Sequence, residues 1–243
     1  DFRKYLFEYN KKIDILAVEV SSHALIQKRY FDFNFDYSAW TSFSQDHLDY
    51  HKTIEEYFEA KRKIFDVTKT SVSIIDSKEF KDRVKSKKIK LIKTKEFKNN
   101  EFLNIEYNRE NMSLAIDLLQ NCGINLDKLN YTKIKAPPGR FNIFRYKNGY
   151  VIIDFAHTPD ALINICTEIK KTYSDFSLVT IFGCGGDRDK SKRNLMGKAA
   201  LDFSDFVFVT SDNPRFEKPE DIIEDIVKGL DKKRIQVEVH REQ

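Results

Sequence analysis

Short apolar runs alternate along this chain with longer amphipathic stretches, and that alternation narrows the fold more than any other feature. Residues 13–18, 37–43, 72–76 and 89–94 read as strands in the first half, and residues 178–182, 206–210 and 235–239 in the second. Between them lie helical patterns: residues 108–121, stopped at Gly123, and segments beginning at Thr158-Pro159, near Asn194 and near Pro219. Strands separated by helices predict an α/β fold with mostly parallel sheets. One exception is expected. Residues 141–146 and 150–155 flank Asn148-Gly149, a strong hairpin signal. Consecutive prolines in Ala136-Pro137-Pro138-Gly139 enforce extended backbone and divide the chain into residues 1–135 and 136–243.

Composition excludes several classes. Hydrophobic residues make up 41% and charged residues 33% of the 243, as in a folded globular protein. No apolar run approaches the roughly 20 residues that a membrane span needs, and residues 1–12 lack the apolar stretch of a secretory signal. Net charge is +4, with the basic excess concentrated in residues 78–98, whose charges lack the interleaved aromatic pattern or the known module that a nucleic-acid surface would bring. Cys122, Cys166 and Cys184 show no paired spacing, which fits a reducing compartment, the cytoplasm. The first residue is Asp rather than Met, so the chain is expected to be a fragment or a processed piece.

Five places carry chemistry-bearing residues. Thr53-Ile54-Glu55-Glu56 is a capping box, and the helix it starts carries Ile54, Tyr57, Phe58, Ile64 and Phe65 on one face. Lys61 falls within that face. A buried ammonium has a depressed pKa, and a neutral amine can capture CO2 as a carbamate; the bland alternative is a lysine that snorkels past its neighbours. Glu19 follows the 13–18 run, where an acid suits Mg2+ or merely the surface. In Asp46-His47-Leu48-Asp49-Tyr50-His51 the two histidines stand at i, i+4, but no third ligand accompanies them, so zinc is not expected. Phe182-Gly183-Cys184-Gly185-Gly186-Asp187-Arg188 lies between a strand and a helix, where backbone N–H groups can meet an anion, though it is not a Walker A loop. Asp212-Asn213-Pro214-Arg215 also follows a strand; Arg188 and Arg215 suit carboxylates, and the bland alternative is a plain turn.

Six blocks in order resemble the Mur ligase family, on its diamino-acid-adding branch. They are Glu19-Val20-Ser21-Ser22-His23-Ala24-Leu25, residues 46–51, Ala60-Lys61, Asp154-Phe155-Ala156-His157-Thr158-Pro159-Asp160, residues 183–193 and residues 212–215. The resemblance is thin from residue 66 to 106. It implies part of a central ATPase domain with a mostly parallel sheet, then a Rossmann-like C-terminal domain incomplete at its end. It also implies ATP-dependent addition of a diamino acid to a UDP-N-acetylmuramoyl dipeptide through an acyl phosphate. Lys61 matches the family's carbamylated lysine and, with Glu19 and His47, its metal-binding positions for Mg2+. Ser21, Gln27 and Arg29 match contacts to the UDP-muramoyl peptide, and Asn108, Asn111, Asp154 and His157 match positions near ATP. Arg188, Asp212, Asn213, Pro214 and Arg215 match the pocket for the incoming amino acid, and Arg215 points to diaminopimelate rather than lysine or ornithine.

The family's phosphate loop and uridine-binding domain would lie upstream of Asp1, so the isolated chain is expected not to turn over ATP. The resemblance implies a cytoplasmic monomer without nucleic-acid or membrane partners. The competing expectations are a catalytically incomplete relic and a related amide ligase of the folylpolyglutamate or cyanophycin synthetase type.

Overall fold

The computed structural model describes residues 4, 8, 12–30, 33–75, 80, 83–84 and 86–239. The chain forms two compact units interleaved in sequence: Asp1–Thr41, Glu59–Lys95 and Glu110–Leu129 in one, Ser42–Phe58, Glu96–Arg109 and Asn130–Gln243 in the other.

In the first unit, β1 (Phe35–Trp40), β2 (Thr68–Ile75) and β3 (Ile89–Ile92) form a parallel sheet in the order β1-β2-β3. β2 is central, and Val72, Ser73 and Ile74 are buried in succession, as expected of a strand covered on both faces. The two serines this places inside are satisfied: Ser38 Oγ meets Thr68 Oγ1 at 2.7 Å, and Ser73 donates to Asp117 Oδ2 at 2.5 Å. Trp40 fills the core with Phe80 edge-on at 4.9 Å between ring centroids. The short helix α1 (Ser22–Ile26) begins at Ser21, whose Oγ accepts from the Ala24 N–H.

Two helices belong partly to each unit. Helix α3 (Ile54–Arg62) follows the one-turn α2 (Leu48–His51) and starts as its capping box predicts, with Thr53 Oγ1 accepting from the Glu56 N–H at 3.1 Å. Helix α4 spans Glu106–Asn121, and Lys90 reaches its last turns through Asp117 and Asn121.

The second unit holds the hairpin β4 (Asn142–Tyr146) and β5 (Gly149–Ile153), then a parallel sheet of β6 (Val179–Phe182), β7 (Phe206–Thr210) and β8 (Ile235–Glu238) in the order β6-β7-β8. Helix α5 (Pro159–Thr172) precedes that sheet, while α6 (Ser191–Phe203) and α7 (Pro219–Val227) are its crossovers. Val207 and Val209 on the central strand are fully buried against Leu162, Ile165, Ala200, Ile222 and Ile226. A Cβ on Gly197 would lie 2.4 Å from the Ile226 carbonyl oxygen, so α6 and α7 meet backbone to backbone there. No helix among the described residues is long and apolar enough to cross a membrane.

Several expectations need correction. Residues 13–18 form no strand: Ile15 and Leu16 are 41% and 36% exposed, and no neighbouring strand among the described residues accepts their backbone groups. An apolar run becomes a strand only where a ladder satisfies it. β1 ends at Trp40, short of Phe43, which instead stacks on Tyr57 at 5.1 Å. The 72–76 strand starts earlier, at Thr68, and Asp76 lies outside the described residues. Residues 78–79, 81–82 and 85 of the 78–98 basic run are outside them in the same way. In the hairpin, Tyr146 pairs with Gly149, so Lys147-Asn148 is the two-residue loop and Lys147, not a glycine, takes φ +49°. Helix α6 begins at Ser191 rather than Asn194 because Asp189 Oδ1 accepts from the Ser191 N–H and opens the turn early.

The glycine loop gives a direct test of packing. A Cβ on Gly186 would lie 1.9 Å from the Pro214 carbonyl oxygen, whereas one on Gly149 would meet nothing closer than 3.9 Å. Gly186→Ala should therefore cost about 1–3 kcal/mol in urea unfolding, as overpacking does, while Gly149→Ala should change the midpoint little; equal effects would contradict the packing.

Candidate active site

In the second unit the carboxylate of Asp46 is buried and surrounded by cations. Lys192 Nζ lies 3.1 Å from Oδ1, and the Nε2 atoms of His47 and His157 both lie 3.4 Å from Oδ2. The His47 N–H also donates to Oδ1 at 2.9 Å, across a left-handed turn with His47 at φ +57°. Burial by itself would raise the Asp46 pKa. The hydrogen bond from His157 and the charges of Lys192 and His47 outweigh burial and hold the carboxyl well below its usual range. Asp46 in turn raises the His157 pKa, chiefly through that hydrogen bond. The His157 Nδ1 lies 3.0 Å from the Phe155 carbonyl oxygen, so both ring nitrogens face acceptors, the pattern that favours an imidazolium. Tyr57 packs against this group through His51 and His47, and burial with the Asp46 charge pushes its phenol up to about 12.

Asp154 has a structural task. Its two oxygens accept from the Phe141 and Ala156 N–H groups at 2.9 and 2.8 Å, which ties the end of the hairpin to the start of the 154–157 segment. Asn108 is buried on α4 and donates to the Phe102 carbonyl, while Asn111, three residues on, is exposed.

The loops after β6 and β7 leave the carboxyl ends of adjacent parallel strands and interlock. The Gly186 N–H donates to the Asn213 carbonyl at 2.9 Å, Arg215 Nη1 to the Gly186 carbonyl at 2.6 Å, and the Phe216 N–H to Asp187 Oδ2 at 3.2 Å. Gly183 and Gly186 are glycines because a side chain at either would strike the facing backbone at Thr210 or Pro214. The glycine-rich motif thus serves loop-to-loop approach, a role its position between strand and helix did not disclose. Arg188, Asp212, Asn213 and Arg215 are exposed on this pair of loops, and Arg188 has no protein partner among the described residues.

In the first unit, Glu19 is exposed on an extended segment, and its carbonyl accepts from the Tyr30 hydroxyl at 3.3 Å. Ser21 caps α1, and Arg29 Nε donates to Gln27 Oε1 at 2.9 Å. Lys61 is half-buried with Nζ 5.5 Å from the centroid of the Trp40 ring, so the amine leans inward over an aromatic face. Ile54, assigned to the same apolar face, is 38% exposed: it occupies the first turn, which lies beyond the buried Tyr57, Phe58 and Ala60. Among the described residues, no group of three or more His, Cys, Asp or Glu side chains is arranged for a metal.

Sequence reasoning quoted Asp46 and Lys192 within motifs but gave neither a role. Their 146-residue separation carries no local signal. The available hint was Lys192-Arg193 standing at the start of a helix beside small and apolar residues, where two buried cations require partners.

The raised His157 pKa sets the sign of a pH effect. The extra stability is fully present below the ordinary histidine value of 6.5 and is lost as pH rises through the higher folded value. The imidazole of His157 should titrate above 6.5 by NMR and fall back towards it in Asp46→Asn; no change would remove the ion pair from the account.

Comparison with known proteins supplies the family. The description "Mur ligase middle domain" matches residues 1–144, and "Mur ligase, glutamate ligase domain" matches residues 139–243. A curated relative from Fusobacterium nucleatum, UDP-N-acetylmuramoyl-L-alanyl-D-glutamate–2,6-diaminopimelate ligase, is 37% identical over 252 residues, covering 90% of this chain and 52% of its own length. A solved structure of a ligase of that name aligns with TM-score 0.50 and 31% identity over 92% of this chain and 54% of its own. A folylpolyglutamate synthase from Thermotoga maritima aligns with TM-score 0.56 over 84% of this chain and 53% of its own, but at 19% identity it shares the fold alone. The chain spans about half the length of the relatives it matches. With family descriptions covering it from end to end and parallel sheets in both units, this chain belongs to the Mur ligase family.

Proposed function

We propose that this chain is the middle and C-terminal part, divided near residue 136, of an ATP-dependent ligase. It joins meso-diaminopimelate to UDP-N-acetylmuramoyl-L-alanyl-D-glutamate in peptidoglycan synthesis, acting in the cytoplasm as a monomer without nucleic-acid or membrane partners. The observation that carries this reading is the interlocked pair of loops at the ends of β6 and β7, one carrying Arg188 and the other Arg215. Ligands of open α/β sheets bind at the carboxyl ends of strands. Diaminopimelate brings a distal carboxylate that lysine and ornithine lack, and a guanidinium fork suits it.

The reaction proceeds in two steps. The terminal carboxylate of the dipeptide attacks the γ-phosphorus of ATP and ADP leaves, forming an acyl phosphate. The amine of the diamino acid then attacks the acyl carbon, loses a proton, and displaces inorganic phosphate. No protein nucleophile takes part. His157, whose protonated form Asp46 favours, offers ATP a cation, and Asp154 positions it by fixing the 154–157 segment. Asn108 and Asn111 on α4 match the family's pair of asparagines near the nucleotide; Asn111 is exposed to meet it, while the Asn108 amide is held by the Phe102 carbonyl. Ser21, Gln27 and Arg29 bind the UDP-muramoyl peptide, while Asp212, Asn213 and Pro214 shape the amino-acid pocket beside Arg188 and Arg215.

Mg2+ prefers hard oxygen donors. The carboxylate of Glu19 is one, and Lys61 becomes another once its amine, as free base, captures CO2 and loses a proton to give a carbamate. Lys61 is half-buried and leans inward over Trp40, and its carbamate role is carried over from its match to the family's lysine. His47 matches the family's remaining metal position. When bound, the ion neutralises charge on the phosphoryl oxygens.

In the complete ligase, Arg215→Ala should raise KM for diaminopimelate roughly 10- to 100-fold, the loss of a hydrogen bond between charged groups, and leave KM for ATP nearly unchanged. Steady-state assays with diaminopimelate and lysine as competing substrates check this. Equal use of lysine by the unmodified enzyme would remove the assignment to diaminopimelate.

A further inference from the structure

Behind the interlocked loops lies a charged cluster that touches no proposed ligand. Arg193, on the first turn of α6, is only 1% exposed. Its Nη1 and Nη2 grip Glu217 as a fork at 3.0 and 2.7 Å; Nη1 also reaches Asp225 at 2.9 Å, and Nη2 the Gly185 carbonyl at 3.5 Å. Glu217 accepts further from Lys190 Nζ at 2.8 Å and from the Asp187 N–H at 2.6 Å. The hydrogen bond to Arg193 does most to hold the Glu217 carboxyl well below its ordinary range, with Lys190 next. Glu217 follows Arg215 by two residues on one loop, and Asp187 precedes Arg188 by one on the other. The cluster therefore joins the two loops immediately behind both arginines.

We propose that Arg193 and Glu217 are positioning residues for the amino-acid pocket, a buried clamp that fixes Arg188 and Arg215 at the spacing a distal carboxylate requires. This rests on the ligase reading above. Arg215 needs such support: its backbone is left-handed at φ +52°, and one of its guanidinium nitrogens is spent on the Gly186 carbonyl. Phe216, next to it, is 99% exposed and contributes no packing that could hold the loop. What holds it is the Glu217 side chain on Arg193 and Asp187, together with the backbone bonds to Asp187 and Gly186. Arg193 is thereby more than a buried cation with a counter-ion, because its fork reaches the glycine loop, the second loop and α7 at once.

The test uses the complete ligase and Glu217→Gln, which keeps the shape and removes the charge. KM for diaminopimelate should rise about tenfold or more, since a misplacement of order 1 Å is enough to do so. KM for ATP and kcat should stay within about threefold, and the preference for diaminopimelate over lysine should narrow. Asp225→Asn removes the one partner of Arg193 that lies on neither loop, and should lower stability without moving KM. Should Glu217→Gln not fold, the double variant Arg193→Gln/Glu217→Gln leaves no uncompensated charge inside and is measured instead. Equal changes in all substrate constants, or loss of stability alone, would overturn the clamp. A second readout is independent of catalysis. On the present chain, the amide protons of Gly186 and Asp187 should exchange with solvent faster in Glu217→Gln than in the unmodified protein; unchanged exchange would also overturn it. If the unmodified complete enzyme uses no diamino acid at all while the exchange rates change as expected, the ligase reading fails and the clamp on the loops stands.

Discussion

A single buried carboxylate organises the chemistry-bearing face of the second unit. Asp46 is removed from water yet stays ionised, because Lys192 and His157, from distant parts of the chain, converge on it together with its neighbour His47. Each of these cations has less freedom than it would have on a surface. A buried carboxylate without partners would protonate, and a buried ammonium without partners would lose its proton. The arrangement is mutual: Asp46 favours the protonated form of His157 as His157 favours the ionised form of Asp46. Much of what the proposed reaction needs, a fixed cation at a fixed place, follows from that.

The glycine-rich loop shows how one sequence pattern admits two physical explanations. Glycines between a strand and a helix suit an anion cradle, and they equally suit two backbones that must touch. Here the second explanation accounts for Gly183 and Gly186, whose missing side chains make room for the 210–215 segment. Recognition then moves from the glycines to the arginines that the closed loops carry. Backbone approach and charge placement are separate tasks, given to neighbouring residues.

What could be read from the sequence was local. Thr53 and Thr158 cap helices where their patterns place them, because a cap depends on residues three positions away. β7 was legible at its ends because apolar, β-branched residues bounded by polar ones define a buried central strand. Residues 13–18 are also mostly apolar and make no strand, since a ladder needs a partner that composition does not specify. Of the candidate residues, Arg188 and Arg215 were placed together by strand-end reasoning, and the loops do interlock. Helical spacing put Lys61 among apolar residues of its own helix, whereas the aromatic ring beneath it comes from β1, 21 positions earlier, beyond any helical spacing. The partners of Asp46, Arg193 and Glu217 are set by tertiary contacts alone.

The crossing of α6 and α7 at Gly197 has a consequence for how tolerance to substitution would be interpreted. That position faces no pocket and carries no functional atom, yet any side chain there would push against the Ile226 carbonyl and wedge the two crossovers apart. Lys192 and Arg193 lie one turn earlier on α6, and Asp225 sits one residue before the contact on α7. In a saturation-mutagenesis map scored by growth, Gly197 would look as intolerant as a ligand-binding residue. Its intolerance would report the distance between two helix axes.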